Sequence, residues 1–155
     1  MTARPVRITV VGAGRCDRAT ASLAERVGSA IARRGGVLIC GGLGGVMEAA
    51  AKGAREAGGL TIGILPGERA DDANPFIEIP IPTDMGHARN VINVRAADAV
   101  VGVGGSHGTV SEIALAAKMG IPVFALSPPF TGDGIVEVDS PEDAVERAFA
   151  AAERR

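Results

Sequence analysis

The chain has 155 residues and a formal net charge of -2 at pH 7, with 46% hydrophobic and 22% charged residues. This length and balance predict a single globular domain over residues 1–155. Mixed charges without a basic excess argue against a nucleic-acid partner, and no apolar stretch is long enough to predict a membrane span. Two cysteines and no signal-peptide pattern lead us to expect a cytoplasmic protein without disulfides.

Short apolar runs alternate with helix-like stretches along the whole chain. In chain order, the predicted strands are residues 6–11, 37–40, 60–65, 76–81, 98–103, 123–126 and 135–138. The predicted helices between and after them are residues 19–34, 46–56, 85–97, 110–119 and 140–152. Regular alternation predicts an α/β fold, with a single Rossmann-like, doubly wound, mainly parallel sheet and helices on both faces.

Glycine-rich turns follow the first, second and fifth predicted strands. Their glycines are Gly12 and Gly14, then Gly41, Gly42 and Gly45, and finally Gly104, Gly105 and Gly108. Glycine permits positive φ angles and lets a ligand approach the backbone closely. Because ligands of doubly wound sheets bind at the carboxyl ends of the strands, all three turns are predicted to meet at one binding site.

The third of these turns carries the clearest chemical signal. It consists of Gly104, Gly105, Ser106, His107, Gly108 and Thr109, between an apolar run and a helix-like segment. The first amides of a helix have no internal partner and the helix dipole favours anions, so the turn is predicted to bind a phosphate. Glu112, about one turn further on, can point back toward the same mouth. The alternative is an ordinary turn in which Glu112 only complements the dipole.

Two other kinds of site are disfavoured by the residue spacing. Residues 12–15 begin like a dinucleotide-binding fingerprint, but Asp17 stands in place of its last glycine and no acidic residue ends the second predicted strand. The two cysteines and two histidines match no standard zinc spacing, so no metal site is predicted.

Taken together, these motifs resemble the LOG-like superfamily. It includes cytokinin-activating phosphoribohydrolases, molybdenum cofactor carrier proteins and proteins labelled "possible lysine decarboxylase". The family's glycine-rich turn ending in Gly-Leu-Met resembles residues 41–47, and its Gly-Ile-Ile-Pro strand end resembles residues 63–66. Its Pro-Gly-Gly-x-Gly-Thr-x-x-Glu motif resembles residues 104–112. The resemblance covers residues 6–126, most of the chain.

The resemblance also assigns roles to individual residues. The family's catalytic arginine corresponds to Arg89 and its catalytic glutamate to Glu112. Met47, at the end of the second glycine-rich turn, is implied to contact the ligand. Ser111 replaces an acid common in the phosphoribohydrolases, and Asn90 stands where those enzymes usually carry lysine. These departures are closer to the molybdenum cofactor carrier branch, whose motif reads Gly-Gly-Gly-x-Gly-Thr-x-Ser-Glu.

We therefore expect a binding or carrier protein for a small phosphorylated ligand of nucleotide or pterin type. It would need no cofactor of its own, and molybdenum cofactor is a candidate cargo. The alternative is a nucleoside 5′-monophosphate phosphoribohydrolase. In that enzyme Glu112 would stabilise a ribosyl cation or activate water, and Arg89 would orient the phosphate, the ribose or Glu112. A domain that senses a nucleotide for a partner is a third hypothesis.

Two further expectations concern chemistry and assembly. A pyridoxal-phosphate-dependent decarboxylase would need a lysine at the site, but Lys52 and Lys118 are the only lysines and both lie on predicted helices away from the glycine-rich edge. LOG-like proteins are typically dimers, so the resemblance implies a homodimer or a dimer of dimers. The mixed charges and the lack of a long apolar stretch predict no nucleic-acid or membrane partner.

Overall fold

The computed structural model describes residues 3–155, which form one parallel sheet flanked by helices. The strands are β1 (Arg7–Gly12), β2 (Val37–Cys40), β3 (Leu60–Leu65), β4 (Ile79–Pro82), β5 (Ala99–Val103), β6 (Val123–Leu126) and β7 (Ile135–Glu137). The helices are α1 (Arg18–Arg33), α2 (Val46–Glu56), α3 (Arg89–Arg95), α4 (His107–Lys118) and α5 (Pro141–Glu153). The expected α/β architecture is confirmed. None of the described helices is both long and apolar enough to cross a membrane.

The strand order explains where a ligand can bind. The order is β4-β3-β2-β1-β5-β6-β7, and every pair of neighbours is parallel. The chain winds outward from β1 to β4, returns through α3, and then winds the other way from β5. The strand order therefore reverses between β1 and β5, and ligands bind outside the carboxyl ends of the strands at such a reversal.

Two apolar layers hold the helices against the sheet. Side chains alternate between its faces, so Ile8 and Val10 of β1 pack beneath α1, α2 and α5, whereas Val11 packs beneath α3 and α4. All three side chains are at most 1% exposed. Burying one such side chain stabilises a fold by roughly 1.5–3 kcal/mol. These layers fix the strand ends from which the glycine-rich turns start.

Helices α1 and α2 pack with unusually close backbones. A Cβ atom on Gly28 of α1 would lie 1.9 Å from the Ala50 carbonyl oxygen, and one on Gly53 of α2 would lie 1.9 Å from the Glu25 carbonyl oxygen. Glycine at both crossing points therefore lets the helices touch backbone to backbone, which sets the spacing of the turns at their N-termini.

Three elements, β4, α3 and α4, begin three or more residues away from the predicted position, and the other boundaries agree more closely. β4 begins at Ile79 because the preceding loop is held by Asn74: its Nδ2 donates to the Leu43 carbonyl at 2.8 Å. α3 begins at Arg89, after a 3-10 turn that starts at Gly86, whose φ of 58° is incompatible with a continuous helix. α4 begins earlier than predicted, at His107, so the second half of the predicted phosphate-binding motif is itself the start of the helix.

Candidate functional site

A small cavity of about 150 Å³ lies where the turns after β1, β2 and β5 meet. The predicted site residues that line it are Gly12, Gly14, Gly41, Met47, Arg89, Ser106, Gly108, Thr109 and Glu112. The structure thus brings together residues from three separate turns and from α3, at the edge where the strand order reverses.

The wall of the cavity formed by α4 presents unused hydrogen-bond donors. Ser106 is the N-cap residue, but its side chain makes no capping hydrogen bond, so the first amides of α4 stay free for a ligand. Thr109 is only 2% exposed, and its Oγ1 has no hydrogen-bond partner among residues 3–155. Leaving a buried hydroxyl unpaired costs about 1–3 kcal/mol. A bound oxyanion would pair with both the amides and this hydroxyl.

Gly108 leaves room for that anion. A Cβ atom built on Gly108 would meet no atom within 4 Å, although the residue lies in the first turn of α4 and lines the cavity. A side chain at this position would therefore displace no protein atom at its Cβ, at a residue that borders the cavity.

Arg89 and Glu112 form a buried ion pair in the same cavity. Arg89 Nη1 lies 3.7 Å from Glu112 Oε1, and the two residues are 8% and 9% exposed. Arg89 also donates from Nη1 to Asn90 Oδ1 and from Nη2 to the Gly41 carbonyl at 3.5 Å. These contacts hold the guanidinium at the bottom of the site, while its Nε has no partner among the described residues.

Burial shifts the titration of both members of the pair. Burial raises the pKa of Glu112 from 4.5 to about 7, although the Arg89 charge and the Asn93 side chain act in the opposite direction. Burial also lowers the pKa of Arg89, while the Glu112 charge raises it. A guanidinium remains protonated at any ordinary pH. The cavity therefore contains a permanent cation beside a carboxyl group that changes charge near neutral pH.

Some of the predicted glycines shape the backbone around the cavity. A Cβ atom on Gly41 would lie 2.6 Å from Arg89 Nη2, so only glycine leaves room for the guanidinium. Gly45, with φ of 63°, would bring a Cβ atom to 2.3 Å from the Ala13 carbonyl oxygen. Gly45 thus lets the second turn pack on the first without lining the cavity itself.

Five predicted residues lie outside the lining of the cavity: Gly42, Gly45, Gly104, Gly105 and His107. Gly42 and Gly104 have φ of 79° and 60°, and they turn the chain just after β2 and β5. His107 begins α4 but is exposed. The structure therefore separates glycines that line the cavity from glycines that allow the turns.

Three lining residues were not among the predicted site residues: Val10, His87 and Asn90. Asn93, beside Glu112, was also missed; it is 1% exposed and its Oδ1 has no partner among the described residues. Arg89 and Asn93 are four residues apart and share one helix face, so the recurrence of polar residues at helical spacing was the signal available in the sequence.

Cys40 is part of the packing beneath the site. Its Sγ accepts the Gly42 backbone N–H at 3.4 Å, and burial raises the pKa of the thiol to about 12. The thiol is therefore protonated at neutral pH and is a poor nucleophile or metal ligand. Within residues 3–155 no group of three or more His, Cys, Asp or Glu side chains is placed to hold a metal ion.

Comparison with solved structures finds proteins of the same architecture and similar sequence. The molybdenum cofactor binding protein of the phototrophic bacterium Rippkaea orientalis is 36% identical, with a TM-score of 0.90 over 96% of this chain and 98% of its own. The Moco carrier protein of Chlamydomonas reinhardtii is 34% identical, with a TM-score of 0.88 over 98% of this chain and 100% of its own.

Sequence comparison gives a closely similar relative and a family. An uncharacterized protein of Archaeoglobus fulgidus is 54% identical over 140 residues, which are 90% of this chain and 92% of that protein. The model of the SLOG cluster4 family matches residues 5–153. The predicted resemblance to the LOG-like superfamily is thereby confirmed, and the chain belongs to the SLOG cluster4 family.

Proposed function

We propose that this protein binds and carries a small phosphorylated ligand, with its phosphate in the cavity at the start of α4. The observation that carries the proposal is the buried Thr109 hydroxyl, which has no partner among residues 3–155 and lies in a cavity that also holds the free α4 amides and the Arg89 guanidinium. Hydroxyl, amide and guanidinium donors together are suited to a phosphate oxyanion.

Each part of the site has a role in this proposal. The amides of residues 105–109 and Thr109 Oγ1 donate to the phosphate oxygens. Arg89 supplies the positive charge, and Asn90 keeps its guanidinium oriented through the Arg89–Asn90 hydrogen bond. Glu112 weakens the attraction between Arg89 and the ligand phosphate, because its carboxylate pairs with the same guanidinium.

The two solved relatives support a cargo of pterin or nucleotide type. Both are described as proteins that bind or carry molybdenum cofactor, and each aligns over nearly the whole chain. Molybdenum cofactor is therefore the first candidate cargo for this protein. The cavity that receives the phosphate would hold one end of such a ligand.

A phosphoribohydrolase is the second candidate function, and the Arg89–Glu112 pair is the observation that favours it. A carboxyl group with a pKa of about 7 is well placed to act as a general base toward water. Ser111 and Asn90 favour the carrier instead, because the resemblance implies an acid and a lysine there in the hydrolases. Asn90 is buried and accepts a hydrogen bond from Arg89, so its side chain orients the guanidinium.

Self-association is also part of the proposal, and an exposed apolar surface supports it. Ile79 and Ile81 of β4 are each 42% exposed, and Val91 and Ile92 of α3 are 43% and 37% exposed. Ile79 and Ile81 pair in register with Ile62 and Ile64 of β3, so they lie on the same sheet face as α3. A second copy of the chain would cover this surface in a homodimer or a dimer of dimers.

The phosphate site can be tested with one substitution and a matched control. Gly108→Val should abolish AMP binding, because Gly108 lines the cavity and the added side chain would narrow it, while its Cβ atom would displace no protein atom. Gly132→Val is the control, since a Cβ atom there also meets no atom within 4 Å but Gly132 does not line the cavity. Isothermal titration calorimetry measures both. Wild-type affinity in Gly108→Val would show that the phosphate binds elsewhere.

A further inference from the structure

A second, wider cleft opens directly beside the phosphate cavity. It has a volume of about 630 Å³, and Gly14 lines both spaces. The inner cavity of about 150 Å³ equals the liquid volume of only a few water molecules, at roughly 30 Å³ each, so it has room for a phosphate and little more. The remainder of any larger ligand held by its phosphate must leave the cavity, and the adjoining cleft has a volume typical of small-molecule sites.

One aromatic ring is held at this cleft by a clamped loop. Phe76 lines the cleft, is half-buried and belongs to none of the hydrophobic clusters of the described residues. Asn74 fixes it: the Asn74 amide accepts the Phe76 N–H at 3.0 Å and donates to the Leu43 carbonyl at 2.8 Å. The Asn74 N–H also donates to the Gly42 carbonyl at 2.9 Å. Phe76 is therefore tied to the same glycine-rich turn that borders the phosphate cavity.

The charges along the cleft leave one carboxylate, that of Glu48, and one guanidinium, that of Arg15, without an ion pair among the described residues. Lys52 Nζ lies 3.7 Å from Glu25 Oε2, so these two charges compensate each other. Glu48, in the first turn of α2, lines the cleft and makes no ion pair with any residue of the described chain. An ionised carboxylate only accepts hydrogen bonds, and its two oxygens match two adjacent N–H donors.

We propose that the ring of the phosphorylated ligand lies in this cleft against Phe76, and that Glu48 selects rings with adjacent N–H donors. The 2-amino-4-oxopyrimidine ring, shared by guanine and pterins, has this pair of donors in its ring N–H and its 2-amino group. Adenine presents a ring nitrogen acceptor at the corresponding edge, which a carboxylate repels. The inference rests on the proposed phosphate site and adds a ligand class: guanine-like or pterin-like rings rather than adenine.

Three probes separate the contributions of phosphate and ring. Ribose 5-phosphate reports on the phosphate cavity alone, GMP adds a ring with the donor pair, and AMP adds a ring without it. Calorimetric affinities of all three are measured for the wild type and for Phe76→Ala, Glu48→Gln and Glu146→Gln. Glu146 is the control, because it is an exposed acid on α5 and lies outside the cleft.

The expected pattern is specific to the ring site. Wild type should bind GMP at least about tenfold more tightly than AMP, since the hydrogen bonds involve a charged group. Phe76→Ala should weaken GMP and AMP by about tenfold each and leave ribose 5-phosphate unchanged, since stacking on an aromatic ring tolerates any base. Glu48→Gln should remove the preference for GMP, and Glu146→Gln should change nothing.

Equal wild-type affinities for GMP and ribose 5-phosphate would overturn the ring site, even though the phosphate site stands. An unchanged GMP affinity in Phe76→Ala, or an unchanged preference in Glu48→Gln, would overturn it as well. Wild-type protein that binds none of the three probes would overturn both proposals, and the missing ribose 5-phosphate binding identifies the phosphate site as the part that failed.

Discussion

At the scale of single residues, the Arg89–Glu112 pair controls the charge of the site. Removing two charges from water is costly, and their mutual attraction often fails to repay it. The pair lies in a cavity whose other donors, the α4 amides and Thr109 Oγ1, have no protein partner among residues 3–155. An arriving anion therefore competes with Glu112 for Arg89, and it also faces the negative charge of Glu112 directly.

This competition predicts a pH dependence of anion binding. The pKa of Glu112 is raised to about 7, so the carboxyl is neutral below that pH and ionised above it. Because a neutral Glu112 neither repels an anion nor holds Arg89, sulfate affinity should be constant below about pH 7 and fall above it. The fall can reach about tenfold per pH unit for one coupled proton. Sulfate is the probe because its own charge is constant over this range.

Glu112→Gln isolates the contribution of this carboxyl. Its sulfate affinity should remain near the low-pH value of the wild type, and the fall above pH 7 should disappear. His87, which also lines the cavity, is present in both proteins, so the difference between them reports on Glu112 alone. Calorimetry between pH 5.5 and 8.5 makes the comparison, and identical pH profiles for the two proteins would refute the role given to Glu112.

The sequence predicted much of the site but did not separate its two kinds of glycine. Gly41 and Gly108 border the cavity, whereas Gly42 and Gly104 have positive φ angles and serve the turns. Both demands select glycine, so composition and spacing cannot distinguish them. Asn93 was missed because its contact with Glu112 depends on how α3 packs against α4, which motif spacing along the chain does not specify.

At the scale of helices and strands, every predicted element is present, and the differences lie at its ends. Apolar periodicity determines which segments are buried, and this is readable from sequence. Boundaries depend on particular hydrogen bonds, such as those of Asn74 before β4, or on a turn such as that at Gly86 before α3. Those interactions join residues distant in sequence or depend on one φ angle. The apolar periodicity of the sequence therefore did not predict these boundaries.

The contact between α1 and α2 makes a prediction that reverses the usual effect of alanine. Replacing a helical glycine by alanine normally stabilises a protein by about 0.5–1 kcal/mol. Gly28→Ala should instead lower the free energy of unfolding by about 1–3 kcal/mol, because the new methyl group meets the Ala50 carbonyl oxygen at 1.9 Å.

Gly108→Ala is the matched helical control for this prediction. Its methyl group meets no atom within 4 Å, so this variant should be as stable as the wild type or more stable. Urea denaturation followed by circular dichroism gives both free energies of unfolding. A Gly28→Ala variant as stable as the wild type would show that α1 and α2 can separate at no cost.

At the scale of the whole molecule, the sheet ends in an incompletely covered apolar face. Ile79 and Ile81 of β4 and Val91 and Ile92 of α3 are exposed, and we expect these apolar side chains to lie in a contact between subunits. Pro80 and Pro82 lack the N–H groups that another strand would need. A second copy should therefore pack against the side chains of this face rather than extend the sheet.

Light scattering coupled to size exclusion tests this arrangement. The wild-type mass at micromolar concentration should be that of a dimer or a tetramer, and Val91→Glu should lower it because a charge would be buried in the contact. Glu137→Lys changes an exposed charge on β7, at the opposite edge of the sheet, and should leave the mass unchanged. A monomeric wild type would contradict the proposed self-association.

The central claim is that the start of α4 binds the phosphate of a ligand that the protein carries without cleaving it. The most direct measurement is a crystal structure after soaking with AMP, a phosphate-bearing probe whose cleavage would be visible. We expect intact AMP with its phosphate on the amides of residues 105–109 and on Thr109 Oγ1. A phosphate bound elsewhere beside an empty α4 N-terminus would contradict the site, and free adenine with ribose 5-phosphate in the cavity would contradict the carrier.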